Sequence, residues 1–258
     1  EALIKADAAI KGMWCVPKYS NPTGCVYSAE TVDRIAALGN IAAPNFRVFW
    51  DNAYVVHDLT NNAPALANIM ERCRAHGTEH SVLQFTSTSK ITHAGAGVAF
   101  MGASKENLAV FCKQLGICTI GPDKINQARH LAFLPDAAAV QQHMQKHAAI
   151  LKPRFDCVLQ HLQTAFADSD LGEWTAPVGG YFVSFNTRPN LATTVVKLAA
   201  EAGVKLTPAG ATFPYGKDPE NRNIRLAPSF PKLEEVDLCM AIFTTCVKLA
   251  SVEQALGS

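Results

Sequence analysis

Charge of either sign is in short supply. The 23 Lys and Arg residues against 22 Asp and Glu leave a formal net charge of +1 over 258 residues. That balance creates no strong field toward nucleic acid or an anionic membrane surface. No uninterrupted apolar run reaches the ~18 residues of a candidate membrane helix, and no secretory signal pattern opens the sequence. Internal repeats and low-complexity tracts are missing, which excludes solenoid and tail-like organisation. The eight cysteines, Cys15, Cys25, Cys73, Cys112, Cys118, Cys157, Cys239 and Cys246, contain no C-x-x-C pair. Their scatter through apolar and helical contexts points to reduced thiols in a cytoplasmic protein rather than to a disulfide framework or a zinc site. The phosphate-loop pattern G-x-x-x-x-G-K-[ST] does not occur, and Gly95-Ala96-Gly97 precedes a strand instead of joining strand to helix, so it is no dinucleotide fingerprint. His143 and His147 stand at i, i+4 on a helix with no carboxylate between them, the pattern of two exposed histidines rather than a metal pair.

What is present is enough apolar sequence, 48% of the residues, to build one large domain or two modest ones. Short runs rich in β-formers mark buried strands at Gly12-Met13-Trp14-Cys15-Val16, Phe46-Arg47-Val48-Phe49-Trp50 and Ser81-Val82-Leu83-Gln84-Phe85, with a further strand at 96–101. Helical stretches separate them, one starting at Ser28-Ala29-Glu30-Thr31 and one around 66–74. Such alternation predicts an α/β layer with a largely parallel sheet. Beyond residue 104 the pattern turns helical, with a long helix over 137–167 interrupted at most by Pro153. Then come a run at Gly179-Gly180-Tyr181-Phe182-Val183-Ser184-Phe185, a helix over 191–200, short strands at 204–207 and 223–227, and a last helix over 232–250. This predicts a smaller α+β domain, with the boundary near 135/136: residues 1–135 in the larger domain, 136–258 in the long helix and the smaller one.

Several residues stand where chemistry is done. Lys90 follows a strand and the hydroxyl-rich turn Thr86-Ser87-Thr88-Ser89, which puts its amine at a strand's carboxyl end, where open α/β sheets bind ligands. Taken alone it is also an ordinary surface lysine. Asp51 ends an apolar strand, where a carboxylate is costly unless paired, although a loop or capping Asp would look the same. Tyr54, three residues on, can reach the same ligand or simply pack. Asn21 opens the turn Asn21-Pro22-Thr23-Gly24, in which Pro22 and Gly24 fix the loop. Ser87 and Ser89 offer hydroxyls and turn N–H groups to an anion. Arg225 lies on the apolar strand Asn223-Ile224-Arg225-Leu226-Ala227, and a fork projecting from such a strand suits a carboxylate, unless it faces solvent. His57 and His93 lie near these segments as supporting groups or packing.

In order, S-N-P-T-G, W-D-N-A-Y and S-T-S-K resemble the fold-type-I pyridoxal 5'-phosphate (PLP) aminotransferases. The chain is similar, from Gly12-Met13-Trp14 to its last helix, to the MocR-like and aspartate aminotransferase group. The resemblance implies the aspartate aminotransferase-like fold, with part of the mostly parallel large-domain sheet and a small α+β C-terminal domain. It makes Lys90 the Schiff-base lysine and general base, pairs Asp51 with the pyridine nitrogen, and assigns Tyr54 and Asn21 to the cofactor's 3'-oxygen. Ser87 and Ser89 become phosphate contacts, and Arg225, with Asn21, the substrate carboxylate site. The implied reaction is transamination of an amino acid, aspartate with 2-oxoglutarate foremost, by a cytoplasmic homodimer that binds neither nucleic acid nor membrane. The alternatives are a PLP-sensing domain of a winged-helix transcriptional regulator and an inactive fragment. Two departures from the family pattern appear. Most members carry a phosphate-gripping arginine seven or eight residues after the lysine, where Gly97 and Val98 stand here. They also have a long segment before the strand at Met13, whereas this chain opens on Glu1-Ala2-Leu3-Ile4-Lys5, which reads as the end of a helix.

Overall fold

Short apolar strands organise the N-terminal half, and burial alternates along the one at Arg47–Asp51. In the computed structural model, which describes residues 1–257, the chain divides into two compact units. The first comprises Glu1–Lys18, Val26–Val56 and Pro64–Met144. The second comprises Tyr19–Cys25, His57–Ala63 and the chain from Gln145 on.

The first unit runs α1 (Ala2–Ala6), β1 (Gly12–Cys15), α2 (Ala29–Ala36), β2 (Arg47–Asp51), α3 (Ile69–His76), β3 (Val82–Ser87), β4 (Ala99–Ala103), α4 (Lys105–Cys118) and α5 (Lys124–Phe133). Its sheet has the order β1-β2-β3-β4. The first three strands are parallel and β4 returns antiparallel to β3, so the expected largely parallel sheet is present. Parallel neighbours need crossovers, and α2 and α3 supply them. Both helices start on a side-chain cap: Ser28 Oγ accepts from Thr31 N, and Asn68 Oδ1 accepts from the N–H groups of Met70 and Glu71, each cap worth about 1 kcal/mol. Val32, Ile35, Ile69 and Cys73 pack with Cys15, Val48, Trp50 and Val82 of the strands into one core. Each large side chain so buried contributes roughly 1.5–3 kcal/mol.

The second unit is built on α6 (Ala137–Phe166), which starts in the first unit and carries Pro153 in its interior. There follow β5 (Gly172–Trp174), β6 (Val183–Thr187), α7 (Ala192–Glu201), β7 (Asn223–Leu226) and α8 (Leu233–Leu256). The strands form an antiparallel sheet in sequence order. Phe155, Val158, Leu162 and Phe166 repeat at helical spacing along α6, as do Val236, Met240, Phe243 and Val247 along α8, and both stripes bury against Val183, Phe185, Ile224 and Leu226. Phe185 sits at the centre, edge-on to Phe243 at 5.1 Å.

One expectation changes. Residues 204–207 do not form a strand: Val204 N donates to the carbonyl of Ala199 and so finishes the turn of α7 instead of joining a ladder. The division between units falls at 144/145, inside α6, and residues 19–25 and 57–63 go with the C-terminal unit. The reason is local pairing: Gly180 N donates to His57 O, Leu59 N donates to Val178 O, and Asp58 bridges to Gly179.

Candidate active site

In the first unit, β2 and β3 run parallel with Asp51 beside Phe85, so both strands deliver their carboxyl ends to one edge. Asp51 is the last residue of β2. Its Oδ1 accepts from Ala53 N at 3.0 Å and its Oδ2 accepts from the indole N–H of Trp14 at 3.2 Å. Trp14 is itself held flat on Phe49, with ring centroids 5.5 Å apart and planes 2° from parallel. A carboxylate has about four acceptor positions, so these two donors orient Asp51 and leave capacity for a third. Next to it, Asn52 Oδ1 is buried and lacks a hydrogen-bond partner, an orphaned acceptor of the kind that marks an incomplete polar site. Tyr54 is buried, and the Lys90 amine, on an exposed residue, stands 5.3 Å from the centre of its ring.

The turn that presents Lys90 is tied down on several sides. Ser89 N donates to Ser87 Oγ at 3.4 Å. Thr88 exchanges two bonds with Val98: its N–H donates to the Val98 carbonyl, and its hydroxyl accepts from Val98 N at 2.8 Å. His130, on α5, lies behind them. Its Nδ1 donates to the carbonyl of Asn126 at 2.9 Å, and its Nε2 lies 2.9 Å from the hydroxyls of both Thr88 and Thr92, the latter also donating to the Thr88 carbonyl at 3.1 Å. Asn126 also donates from Nδ2 to the Ala96 carbonyl. His143 Nε2 donates to the carbonyl of Ile91 at 2.8 Å, with its ring edge-on to Phe133. His143 is thus half-buried rather than exposed, because α6 starts against the lysine turn, and His147 is half-buried as well. A cavity of about 590 Å³, lined among others by Thr86, Ser87, Thr88, Phe100 and His130, opens beside the same turn.

The loop at Gly97 leaves no room for a side chain. A Cβ there would lie 2.4 Å from Ser89 Oγ and 2.8 Å from Ser89 N. Any side chain at position 97 would therefore displace the residue that precedes Lys90.

Asn21 and Arg225 belong to the second unit, and they meet there. Arg225, on β7 opposite Ser184, donates from Nη1 to Asn21 Oδ1 at 3.0 Å and lays its guanidinium 4.5 Å over the ring of Phe182. Its Nε is buried without a partner, and no carboxylate pairs with it among the described residues. Arg222, three residues earlier, has its charge paired with Glu173 and Glu220, although its Nε is also buried without a partner. An arginine held on an aromatic face with its charge uncompensated is prepared for an anion. The Asn21–Pro22 peptide is cis. Gly24 has φ +67°, and a Cβ on it would stand 2.4 Å from Pro177, so the turn needs glycine on both counts. Tyr19 closes the loop by laying its ring on Gly179 and Gly180 and donating to Asp58 Oδ1 at 2.5 Å.

The structure therefore gathers Asp51, Tyr54, Ser87, Ser89 and Lys90 at one strand edge of the first unit, and Asn21 with Arg225 in the second. His57 is buried against Tyr181. Sequence reasoning missed Trp14, His130 and His143, because each acts through a contact far away in sequence.

A family model described as "Aspartate amino-transferase" matches residues 1–258. An aspartate aminotransferase of Corynebacterium glutamicum is 46% identical over 253 residues, covering 98% of this chain and 58% of the relative. The crystal structure of an aspartate transaminase from the same organism superposes with a TM-score of 0.94 at 46% identity, over 98% of this chain and 59% of that one. A more distant structure, the α-aminoadipate aminotransferase LysN of Thermus thermophilus, complexed with N-(5'-phosphopyridoxyl)-L-leucine, shares the fold with a TM-score of 0.76 at 20% identity, over 93% of this chain and 59% of that one. The chain spans about 60% of the length of the relatives it matches.

Proposed function

This chain belongs to the aspartate aminotransferase family, and on that premise we propose that the protein carrying it transfers an amino group between an amino acid and a 2-oxoacid with PLP as its cofactor. The residues at the strand edge fit that cofactor. They offer an exposed primary amine beside a buried phenol, a carboxylate oriented by two donors with acceptor capacity left, a pair of turn hydroxyls, and the orphaned Asn52 acceptor. Lys90 against Tyr54 is the observation that carries the reading.

When bound, PLP supplies an aldehyde and an electron-withdrawing ring that makes a substrate's α-proton acidic. Lys90 Nζ would hold the cofactor through its aldehyde and would serve as the base for the proton on the substrate α-carbon. Asp51 would hold positive charge on the ring nitrogen, with Trp14 and Ala53 fixing which way its oxygens point. Tyr54, and Asn21 through the Nδ2 that Arg225 leaves untouched, serve the 3'-oxygen. Ser87 and Ser89 meet the phosphate with hydroxyl and N–H donors in place of the absent arginine. Arg225, held by Asn21 and Phe182, binds the substrate carboxylate. The finer reading is aspartate as amino donor with 2-oxoglutarate as acceptor, in a cytoplasmic homodimer of the MocR-like group. The activity of the 46% identical Corynebacterium glutamicum relative supports the donor.

The test is an absorbance titration with PLP of the protein and of Lys90→Ala. A visible band that forms in the wild type and not in the variant is expected, followed by amino transfer from aspartate. A band that persists in Lys90→Ala, or none in the complete protein, would overturn the assignment.

A further inference from the structure

On the outer face of the second unit, Cys157 and His161 stand four residues apart on α6, hence on one side of the helix and a turn from each other. Asp237, on α8, reaches the same point. Its Oδ1 lies 2.8 Å from His161 Nε2 and 3.9 Å from Cys157 Sγ. The thiol, the imidazole nitrogen and the carboxylate oxygen all fall within 4.8 Å of one another. We propose that Cys157, His161 and Asp237 form a binding site for a divalent transition-metal cation, zinc in the first instance, that ties α6 to α8.

The donor set decides the class of ion. Thiolate and imidazole with a single carboxylate suit zinc and its neighbours, whereas calcium and magnesium take oxygen ligands. Metal–ligand bonds of about 2.0–2.3 Å at tetrahedral angles hold donor atoms roughly 3.4–3.6 Å apart. The two observed separations bracket that value. The carboxylate must open slightly from the histidine and close slightly on the sulfur, and Asp237, with 70% of its side chain exposed, is free to do both. The same exposure leaves the fourth position to water. Beneath the site α6 and α8 already share the core of Phe155, Val158, Leu162, Val236 and Met240, so the two helices hold the three donors in place before any ion arrives. None of the three residues belongs to the proposed cofactor set, and the site stands or fails independently of the aminotransferase reading. No sequence motif announces it, since Asp237 is 76 residues beyond His161.

Cobalt is the probe, because its visible bands report tetrahedral geometry and a near-ultraviolet charge-transfer band reports a thiolate ligand. Metal-stripped protein is titrated with Co²⁺ alone, and Zn²⁺ is then added in competition. One equivalent should bind with the thiolate band, and Zn²⁺ should abolish it and raise Tm. Cys157→Ser should lose the band. His161→Gln and Asp237→Asn should weaken binding at least tenfold, with circular dichroism unchanged. Cys239→Ser, near Asp237 in sequence but outside the cluster, should retain it. Absence of the band, or its persistence in Cys157→Ser, would overturn the proposal, as would equal affinity in all four variants.

Discussion

Position 97 shows how one missing atom shapes a cofactor loop. With the place of a Cβ only 2.8 Å from Ser89 N, even alanine forces the backbone of the lysine turn to move, at a cost typical of overpacking, about 1–3 kcal/mol. Gly97→Ala should therefore weaken PLP binding by about tenfold or more, read from the same titration as Lys90→Ala. An unchanged affinity would show that the loop gives way freely. Arg225 is the other residue whose chemistry is local. Its fork is held by Asn21 and Phe182 and has no carboxylate partner among the described residues. Lysine keeps the charge but not the planar, two-pronged donor set. Arg225→Lys should raise KM for amino acid and oxoacid alike, by roughly ten- to a hundredfold on the ~1.5–3 kcal/mol of a charged hydrogen bond, with a smaller change in kcat. A loss confined to kcat would remove Arg225 from substrate binding.

At the scale of elements, α5 matters more than its exposed sequence suggests. It buries no residue, yet His130 and Asn126 from its inner side hold Thr88, Thr92 and Ala96 around Lys90. His130→Ala leaves the Thr88 hydroxyl without its acceptor and should cost about 1–2 kcal/mol. It should also lower PLP affinity, while His130→Gln, with an acceptor at similar reach, restores part of both. If the alanine variant melts lower but binds PLP as well as wild type, α5 supports the fold and not the lysine turn. The same element shows where sequence stops being legible. Strands β1, β2 and β3 could be read because apolar β-formers run together and end at Pro17, Asp51 and Ser87. The long helix could be read from its periodicity. Lys90, Asp51 and Arg225 were visible as residue types at strand positions. Not legible were the bonds that give these residues their setting: Trp14 to Asp51, His130 to Thr88, and Arg225 to Asn21 across 204 residues. Residues 204–207 looked like a strand because β-propensity says nothing about whether a neighbouring edge is open.

Taken as a whole, the molecule buries groups that ionise only at high pH, which sets the alkaline limit of its stability. Burial pushes the Cys15 thiol up to about 11, against an opposing contact with Tyr27. It also raises Cys73 and Cys246. Tyr19 is held far above the usual phenol range, first by burial and then by its bond to the Asp58 carboxylate. Each is an acid whose folded pKa lies above its unfolded one, so the folded state keeps its proton where the unfolded chain gives it up. The associated stability is complete below the unfolded values, near 9 for the thiols and 10 for the phenol. It declines as pH rises through the window, by about 1.4 kcal/mol per pH unit for each group in turn. Thermal melts should therefore be level from pH 7 to about 8.5 and then fall progressively toward pH 11. Cys15→Ala removes one ionisation and should flatten the slope between pH 9 and 11 while leaving the fall above pH 10 that belongs to Tyr19. Tyr19→Phe should do the reverse, at the cost of its bond to Asp58. Were Tm to stay level through pH 11 in the wild type, or the slope be the same in both variants, Cys15 and Tyr19 would not be the groups that limit the fold in base.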